Sequence, residues 1–306
     1  MRTQNYYKMS KYFKIVVIAL FTLTIVSCSN NSTTSTEPLR DYTEQYDKDL
    51  DSIDKYLDNH YITVDADYNV TFTKIPTGGT QQSIRQQTQY PLLTKIVHIE
   101  EHEVDYKVYY LKLRQGNSKS PSMVDSIHVA YRGTLLTDTQ FDYSPNPIWF
   151  QMQDVVTGWG QIIPEFKTGT YDTAAGPNPV NFQNYGAGIM FLPSGLAYYQ
   201  NSSPTGSFGS YAPLIFTFKL MELRYKDHDL DGILSKDEYI DDTADLYDDV
   251  YDTDTDGDGV ANLYDIDDDG DHVKTKNEIH KDANGNIVFE DCDNDGIPNY
   301  LDKDCK

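Results

Sequence analysis

Between residues 39 and 59 the apolar positions Tyr42, Tyr46, Leu50, Ile53 and Leu57 recur at steps of four, four, three and four. That is the period of one helix face. Asp and Lys fill the other face, so the pattern predicts an amphipathic docking or spacer helix with no chemistry of its own. Residues 61–74 change to period two, with Tyr61 and Thr63 on one side of a polar turn at 65–69 and Val70 and Phe72 on the other. This predicts a hairpin. Residues 76–92 are rich in Gly, Gln and Thr and read as loop. From Ile96 onward strand signals dominate: KVYYLKL (107–113), SIHVAYRG (126–133), WFQM (149–152), GIMFLP (188–193) and PLIFTFKLMEL (213–223) are short runs of β formers. Among them only VVTGWGQIIPEF (155–166) offers a helix start.

The first residues pattern differently. Arg2, Lys8, Lys11 and Lys14 precede an apolar run of twelve from Ile15 to Val26. The run is short for a membrane span and suited to a secretory signal. It ends in Ile25-Val26-Ser27-Cys28, which resembles a bacterial lipobox. That resemblance implies a mature chain starting at Cys28, acylated and membrane-anchored; Ser29 after it favours the outer membrane. The alternative is an ordinary secretory signal with an incidental cysteine. Residues 29–38, rich in Ser, Thr and Asn, read as a flexible tether. In an exported protein Cys292 and Cys305 could pair; their thirteen-residue separation permits this without deciding it.

Charge separates the C-terminal part from the rest. The chain carries −23, yet residues 225–306 alone hold 27 acidic residues against 7 lysines or arginines. The remainder is nearly neutral, so an acidic module is appended, and nucleic acid is excluded as its partner because it demands the opposite sign. Four twelve-residue windows organise the acids. In 227–238 Asp227, Asp229 and Asp231 stand at positions one, three and five, Gly232 at six, the Ile233 carbonyl at seven, Ser235 at nine and Glu238 at twelve. This is the full pattern of an EF-hand calcium loop, although strand rather than helix leads into it; residues 235–247 could supply an outgoing helix. The others hold Asp254, Asp256, Asp258 and Asp265; Asp267, Asp269, Asp271 and Glu278, with His272 in place of the turn glycine; and Asp291, Asp293, Asp295 and Asp302. The second and fourth resemble thrombospondin type 3 repeats. The expectation is structural calcium, with a tail disordered in its absence; the bland alternative is a solvated acidic tail.

Five blocks between Val129 and Leu223 carry the remaining chemistry: VAYRG (129–133), FDYS (141–144), VVTGWG (155–160), LPSGLAYY (192–199) and APLIFTFKLMEL (212–223). They supply Tyr131, Phe141, Val155, Val156, Trp159, Tyr198 and Phe216 with one charged group, Asp142, a set suited to an apolar pocket for an uncharged ring such as proline. Their order and spacing resemble the FKBP family of peptidyl-prolyl cis/trans isomerases over about a third of the chain. The resemblance implies an α+β domain, a half-wrapped antiparallel sheet around a short helix. It puts Trp159 under the prolyl ring, Tyr131, Phe141, Val155, Val156 and Phe216 in the walls, the Val156 N–H and Tyr198 O–H on substrate carbonyls, and Asp142 at the edge, facing the twisting carbonyl or holding Tyr131. It needs no cofactor for catalysis. Departures are Ile148 and Tyr199, where the family prefers an aromatic and a glycine, the loop 200–211, and an insertion at 169–188 that reads as surface loop with a possible lid or partner-binding role. The expected organisation is a signal peptide (1–27), tether (28–38), helix and hairpin extension (39–103), isomerase domain (104–224) and calcium repeats (225–306). The whole resembles FKBP-type lipoproteins associated with gliding motility in Bacteroidota, whose clients would be exported polypeptides containing X–Pro bonds. Two rivals remain: a non-catalytic FKBP-fold module that holds a Pro-containing segment, and a structural component of the envelope in which the calcium array is the working part.

Overall fold

The structure is a computed structural model that describes residues 39–171, 180–239 and 250–305. The expected signal peptide, the tether and Cys28 lie outside the described residues, as do most of the outgoing helix expected at 235–247 and the middle of the 169–188 insertion. All described residues belong to the unit that begins at Leu39. Among them no helix is long and apolar enough to cross a membrane.

Helix α1 spans Tyr42–Asn59 and is capped by Asp41, whose carboxylate accepts from the Glu44 N–H at 2.9 Å. Such a cap satisfies one of the free N–H groups of the first turn. The hairpin follows as β1 (His60–Val64) and β2 (Val70–Lys74). Asp65 builds its turn by accepting from the N–H groups of Asp67 and Asn69. The main sheet contains β3 (Leu92–Ile99), β4 (Val104–Arg114), β5 (Ser126–Leu135), β6 (Gln140–Gln151), β7 (Gly186–Leu192) and β8 (Leu214–Arg224). They run in the order β3-β4-β7-β8-β5-β6 with every pairing antiparallel. The sheet therefore begins at Leu92, ahead of residue 104, because β3 pairs along its whole length with β4.

Both faces of this sheet are covered, which explains why β7 is buried at every position. On one face Tyr106, Val108, Tyr110, Met190, Leu192 and Phe218 pack against α2 (Thr157–Ile162) and the turn of 3₁₀ helix that continues it through Glu165. Alternate residues of the same strands, Tyr109, Leu111, Leu113, Ile189 and Phe191, point the other way. They meet Ile53 and Leu57 of α1, Val70 of the hairpin and Ile84 of the following loop. The N-terminal extension is thus the third layer of the domain.

Beyond β8 the chain winds through the four twelve-residue loops, with a short helix α3 (Thr275–Glu278) and a small hairpin of β9 (Ile279–Lys281) and β10 (Ile287–Phe289). Each loop folds around its own aspartates. In the first, Asp227 accepts from the N–H groups of Leu230 and Gly232, Asp229 from Asp231 and Asp231 from Ile233. The same bonds recur around Asp254, Asp256 and Asp258 and around Asp291, Asp293 and Asp295. The turn glycines Gly232, Gly259 and Gly296 have φ of 111°, 95° and 98°, and His272 takes the same left-handed conformation at 79°. The third loop consequently makes this turn without a glycine at its sixth position, at the local cost a side chain pays in that region. A further bond recurs in all four loops. The ninth residue accepts from the N–H of the second: Ser235 from His228, Asn262 from Thr255, Thr275 from Asp268 and Asn299 from Cys292. Cys292 and Cys305 are joined in a disulfide, their Cα atoms 5.9 Å apart. The tail touches the sheet domain through Met123 and Val124, which cluster with Val250, Ala261 and Leu263.

Candidate functional site

A cavity of about 400 Å³ opens beside α2. Tyr131 and Asp142 come to it from β5 and β6, Val155 and Val156 from the approach to α2, Trp159 from α2, Tyr198 from the turn after β7 and Phe216 from β8. The fold thus gathers residues from five separate sequence blocks. Trp159 is 3 % exposed and forms the floor. Tyr131, Phe150 and Phe216 stand edge-on to it, with ring centroids at 5.4, 6.0 and 5.3 Å. Edge-to-face contacts at these distances favour a fixed aromatic box. The Trp159 Nε1–H is buried and has no hydrogen-bond partner among the described residues.

Asp142 receives the Tyr131 hydroxyl at 2.7 Å and the Tyr143 N–H at 2.8 Å. Burial, then the hydrogen bond to Asp142 and its charge, hold the Tyr131 hydroxyl well above the usual phenol range. Burial and the Asp142 charge also raise Tyr198. Both hydroxyls therefore stay protonated as donors across the physiological range. An irregularity in the β5–β6 pairing between Val129 and Tyr131 turns Tyr131 toward the cavity.

Phe141 does not line the cavity. It stands behind Phe216 at 5.6 Å and meets Phe208 at 4.9 Å. Gly133 makes room for it: a Cβ there would lie 2.4 Å from the Phe141 ring. Two residues escaped the sequence reading. Phe150 supplies the aromatic that position 148 lacks, while Ile148 is exposed. Phe208, in the divergent loop 200–211, packs edge-on to Tyr198 at 5.5 Å. Phe150 lies two residues from Ile148 on β6, a spacing that could have suggested it; nothing in the sequence marks Phe208.

The turn bearing Tyr198 is held from an unexpected side. Asp49 of α1 is 2 % exposed and accepts from the Ser194 N–H at 2.7 Å, the Ser194 hydroxyl at 2.6 Å and Gln45 Nε2 at 2.6 Å. Burial raises its carboxyl above the ordinary range, partly offset by these donors. Tyr199, at φ 45°, stacks on Tyr42 at 4.2 Å and donates to the Arg40 carbonyl at 2.6 Å. The expectation of a helix without chemistry missed this because the helix's aspartates, Asp49 among them, read as its solvated face. The described flanks of the insertion pack elsewhere: Phe182 meets His128 and Tyr171 bonds Glu222.

The acidic loops form a second candidate site. Carboxylate oxygens of Asp227, Asp229 and Asp231 lie within 4.8 Å of one another, as do those of Asp254, Asp256 and Asp258 and of Asp267, Asp269 and Asp271. The closing carboxylates Glu238 and Glu278 are buried, at 5 % and 7 % exposed, and none of their oxygens has a hydrogen-bond partner among the described residues. Burial, followed by the neighbouring carboxylates, pushes Glu238 up to about 9 and Glu278 up to about 7. Grouped, buried oxygen donors without hydrogen bonds suit a hard cation. Ser235, expected as a donor at position nine, is instead engaged with His228. In the fourth loop Asp302 approaches Asp293, and in the second Asp265 is half-buried.

Comparison with known proteins bears on both regions. A family model described as BamM C-terminal matches residues 228–290. Among curated proteins, a probable FKBP-type peptidyl-prolyl cis-trans isomerase FkpA of Neisseria meningitidis serogroup B is 28 % identical over 117 residues, 37 % of each chain. The peptidyl-prolyl cis-trans isomerase Mip of Coxiella burnetii is 28 % identical over 120 residues, 38 % of this chain and 45 % of the relative. A probable FKBP-type 25 kDa isomerase of Pseudomonas aeruginosa is 26 % identical over 113 residues, covering 37 % and 42 %. Each match thus spans less than half of the relative's own length. Among solved structures, a peptidyl-prolyl isomerase of Pseudomonas syringae aligns at 22 % identity with a TM-score of 0.31, covering 38 % of this chain and 74 % of that one. FkpA of Escherichia coli aligns at 16 % identity with a TM-score of 0.36, covering 73 % and 74 %. The curated homologues of this chain are therefore FKBP-type peptidyl-prolyl isomerases, at modest identity and over little more than a third of its length.

Proposed function

We propose that the chain is a peptidyl-prolyl cis/trans isomerase acting on exported polypeptides, anchored to the membrane through Cys28 and carrying a calcium-stabilised C-terminal module. The observation that carries the first part is the aromatic box over Trp159 with the Tyr131–Asp142 pair at its mouth. It occurs in a chain whose curated homologues are FKBP-type isomerases. Exchange of an X–Pro bond faces a barrier of about 18–20 kcal/mol because the C–N bond must lose its partial double-bond character. No bond breaks, so no nucleophile is required; the catalyst has to bind the twisted amide better than either planar form. A twisted amide carries less charge on its oxygen and suffers less from leaving water, so an apolar cleft favours it. In this reading Trp159 receives the prolyl ring, Val155, Val156, Phe150 and Phe216 exclude water, and Phe141 backs the wall. The Val156 N–H and the Tyr198 O–H donate to substrate carbonyls, and Asp142 fixes the Tyr131 ring.

The calcium module rests on the buried carboxylates of the loops, and export on the Cys292–Cys305 disulfide, a bond that persists in oxidising compartments. An outer-membrane, gliding-associated setting is the finer form of the same proposal. A prolyl isomerisation assay on the mature chain, with and without an FKBP-directed macrolide, tests the activity. Acceleration abolished by the drug is expected; a folded protein that leaves the peptide's rate unchanged would sink it. One observation favours a second reading, the holding of a Pro-containing segment without turnover: Tyr199 is bonded into the α1 layer at the rim. Cellular function that survives Asp142→Ala with Tyr198→Phe, after turnover is lost, would select that reading.

A further inference from the structure

The second residue of each acidic loop gives up its N–H to the ninth, and in three loops its side chain is also engaged. His228 Nδ1 lies 2.8 Å from Ser235 Oγ, Thr255 Oγ1 accepts from Asn262 Nδ2 at 2.8 Å, and Cys292 is in the disulfide. The third loop has Asp268 at this position. It is 1 % exposed, and neither carboxylate oxygen has a hydrogen-bond partner among the described residues. A buried carboxylate in that state is costly unless a positive charge meets it.

What Asp268 faces is the first loop. Carboxylate oxygens of Asp229, Glu238 and Asp268 lie within 4.8 Å of one another. Oxygens that each bind calcium at 2.3–2.6 Å can stand no further apart than about twice that distance. Within the turn closed by the Gly270 N–H on the Asp267 carbonyl, Asp267 and Asp269 group with Asp271 in their own loop, while Asp268 between them groups with Asp229 and Glu238. The charges that act most strongly on Glu238 are Asp231, Asp229, Asp268 and Asp227, all of one sign.

We propose that Asp268 is a ligand in trans, completing the first loop's calcium site with a carboxylate from the third loop and making the segment 267–269 a wall shared by two ions. The inference rests on the reading that these loops bind calcium. It goes beyond the four loop patterns, none of which assigns Asp268 a role. It also makes the two loops interdependent, since filling one site fixes the backbone that ligates the other.

The test is calcium titration of the full mature chain by calorimetry, comparing wild type, Asp268→Asn, Glu238→Gln and the double variant. Ligand charge count sets affinity in such sites, so Asp268→Asn is expected to weaken one site by about tenfold or more. Glu238→Gln should weaken that same site, and in the double variant both losses should fall on it while the remaining sites keep wild-type affinity. Losses that fall on two different sites, or an unchanged Asp268→Asn, overturn the inference while leaving the calcium reading intact. A wild type that binds no calcium overturns both. Hydrogen exchange at saturating calcium guards against a folding defect: Asp268→Asn should keep wild-type protection in the second and fourth loops. Protection lost across all four loops would show that Asp268 is structural, and the inference would fall.

Discussion

The sheet domain and the acidic tail solve the problem of a stable interior in opposite ways. In the sheet domain the fully buried side chains are Phe166, Phe191, Ile53, Leu57, Leu111 and their like. Each contributes about 1.5–3 kcal/mol by leaving water. In the tail the buried groups include the carboxylates of Asp231, Glu238, Asp268, Asp269 and Glu278, beside a few apolar residues such as Ile233 and Leu263. Burying charge without a partner opposes folding. One region therefore carries its stability in its own side chains, whereas the other, in the proposed reading, has an interior completed by a cation from outside. The comparison predicts that conditions which damage one region should spare the other.

The largest expected effect is chelation. Removing calcium should unfold residues 225–305 while the sheet persists, because mutual repulsion of the tail's carboxylates is then unopposed. Hydrogen exchange would show protection lost beyond Arg224 and kept in β4, β7 and β8; equal protection with and without chelator would break the comparison. Trp159→Ala is the converse. Truncating a buried Trp costs about 3–5 kcal/mol, so denaturant unfolding of the sheet domain should shift by that amount. Calcium affinity of the tail should not move, and a parallel loss of affinity would mean the two interiors are one. Asp49→Ala is smaller, about 1–3 kcal/mol, since it leaves the Ser194 N–H buried without its acceptor. It should also slow isomerisation through displacement of Tyr198, and a stability loss with unchanged turnover would detach α1 from the cleft. Smallest is Tyr131→Phe, which removes one hydrogen bond at a half-exposed site for about 0.5–1.5 kcal/mol. Its effect should be visible in the assay for turnover more than in the melting curve.

Local pattern made the regular elements legible. The heptad-like spacing of α1 and the Asp65–Asn69 turn were readable because each is encoded over a few residues. The same holds for the period-two aspartates, whose hydrogen bonds reach only two to five residues along the chain. What escaped was set by distance in sequence. Asp49 looks like a solvated acid until Ser194, far downstream, supplies its donors. Ile148 and Phe150 stand two residues apart on β6 in regular register with Val129 and Ile127, so alternation alone does not tell that Phe150 and not Ile148 lines the cavity. The double burial of β7 depends on the N-terminal layer, which strand composition alone does not announce. Asp268 is one more aspartate in an acidic run until the first loop is folded against it.

The contact between Arg40 and the cleft rim has a mechanical side. The Arg40 carbonyl takes the Tyr199 hydroxyl, its N–H donates to the Tyr211 hydroxyl at 3.1 Å, and its guanidinium lies over the Tyr211 ring. Tyr199 is the immediate neighbour of Tyr198, and Tyr211 closes the loop that carries Phe208. A pull on the chain at Leu39 is therefore borne first by the rim of the pocket and only afterwards by the helix. Were the chain held at its N-terminus as proposed, tension on the anchor would reach the rim of the pocket before the helix, and load would be coupled to the pocket's opening.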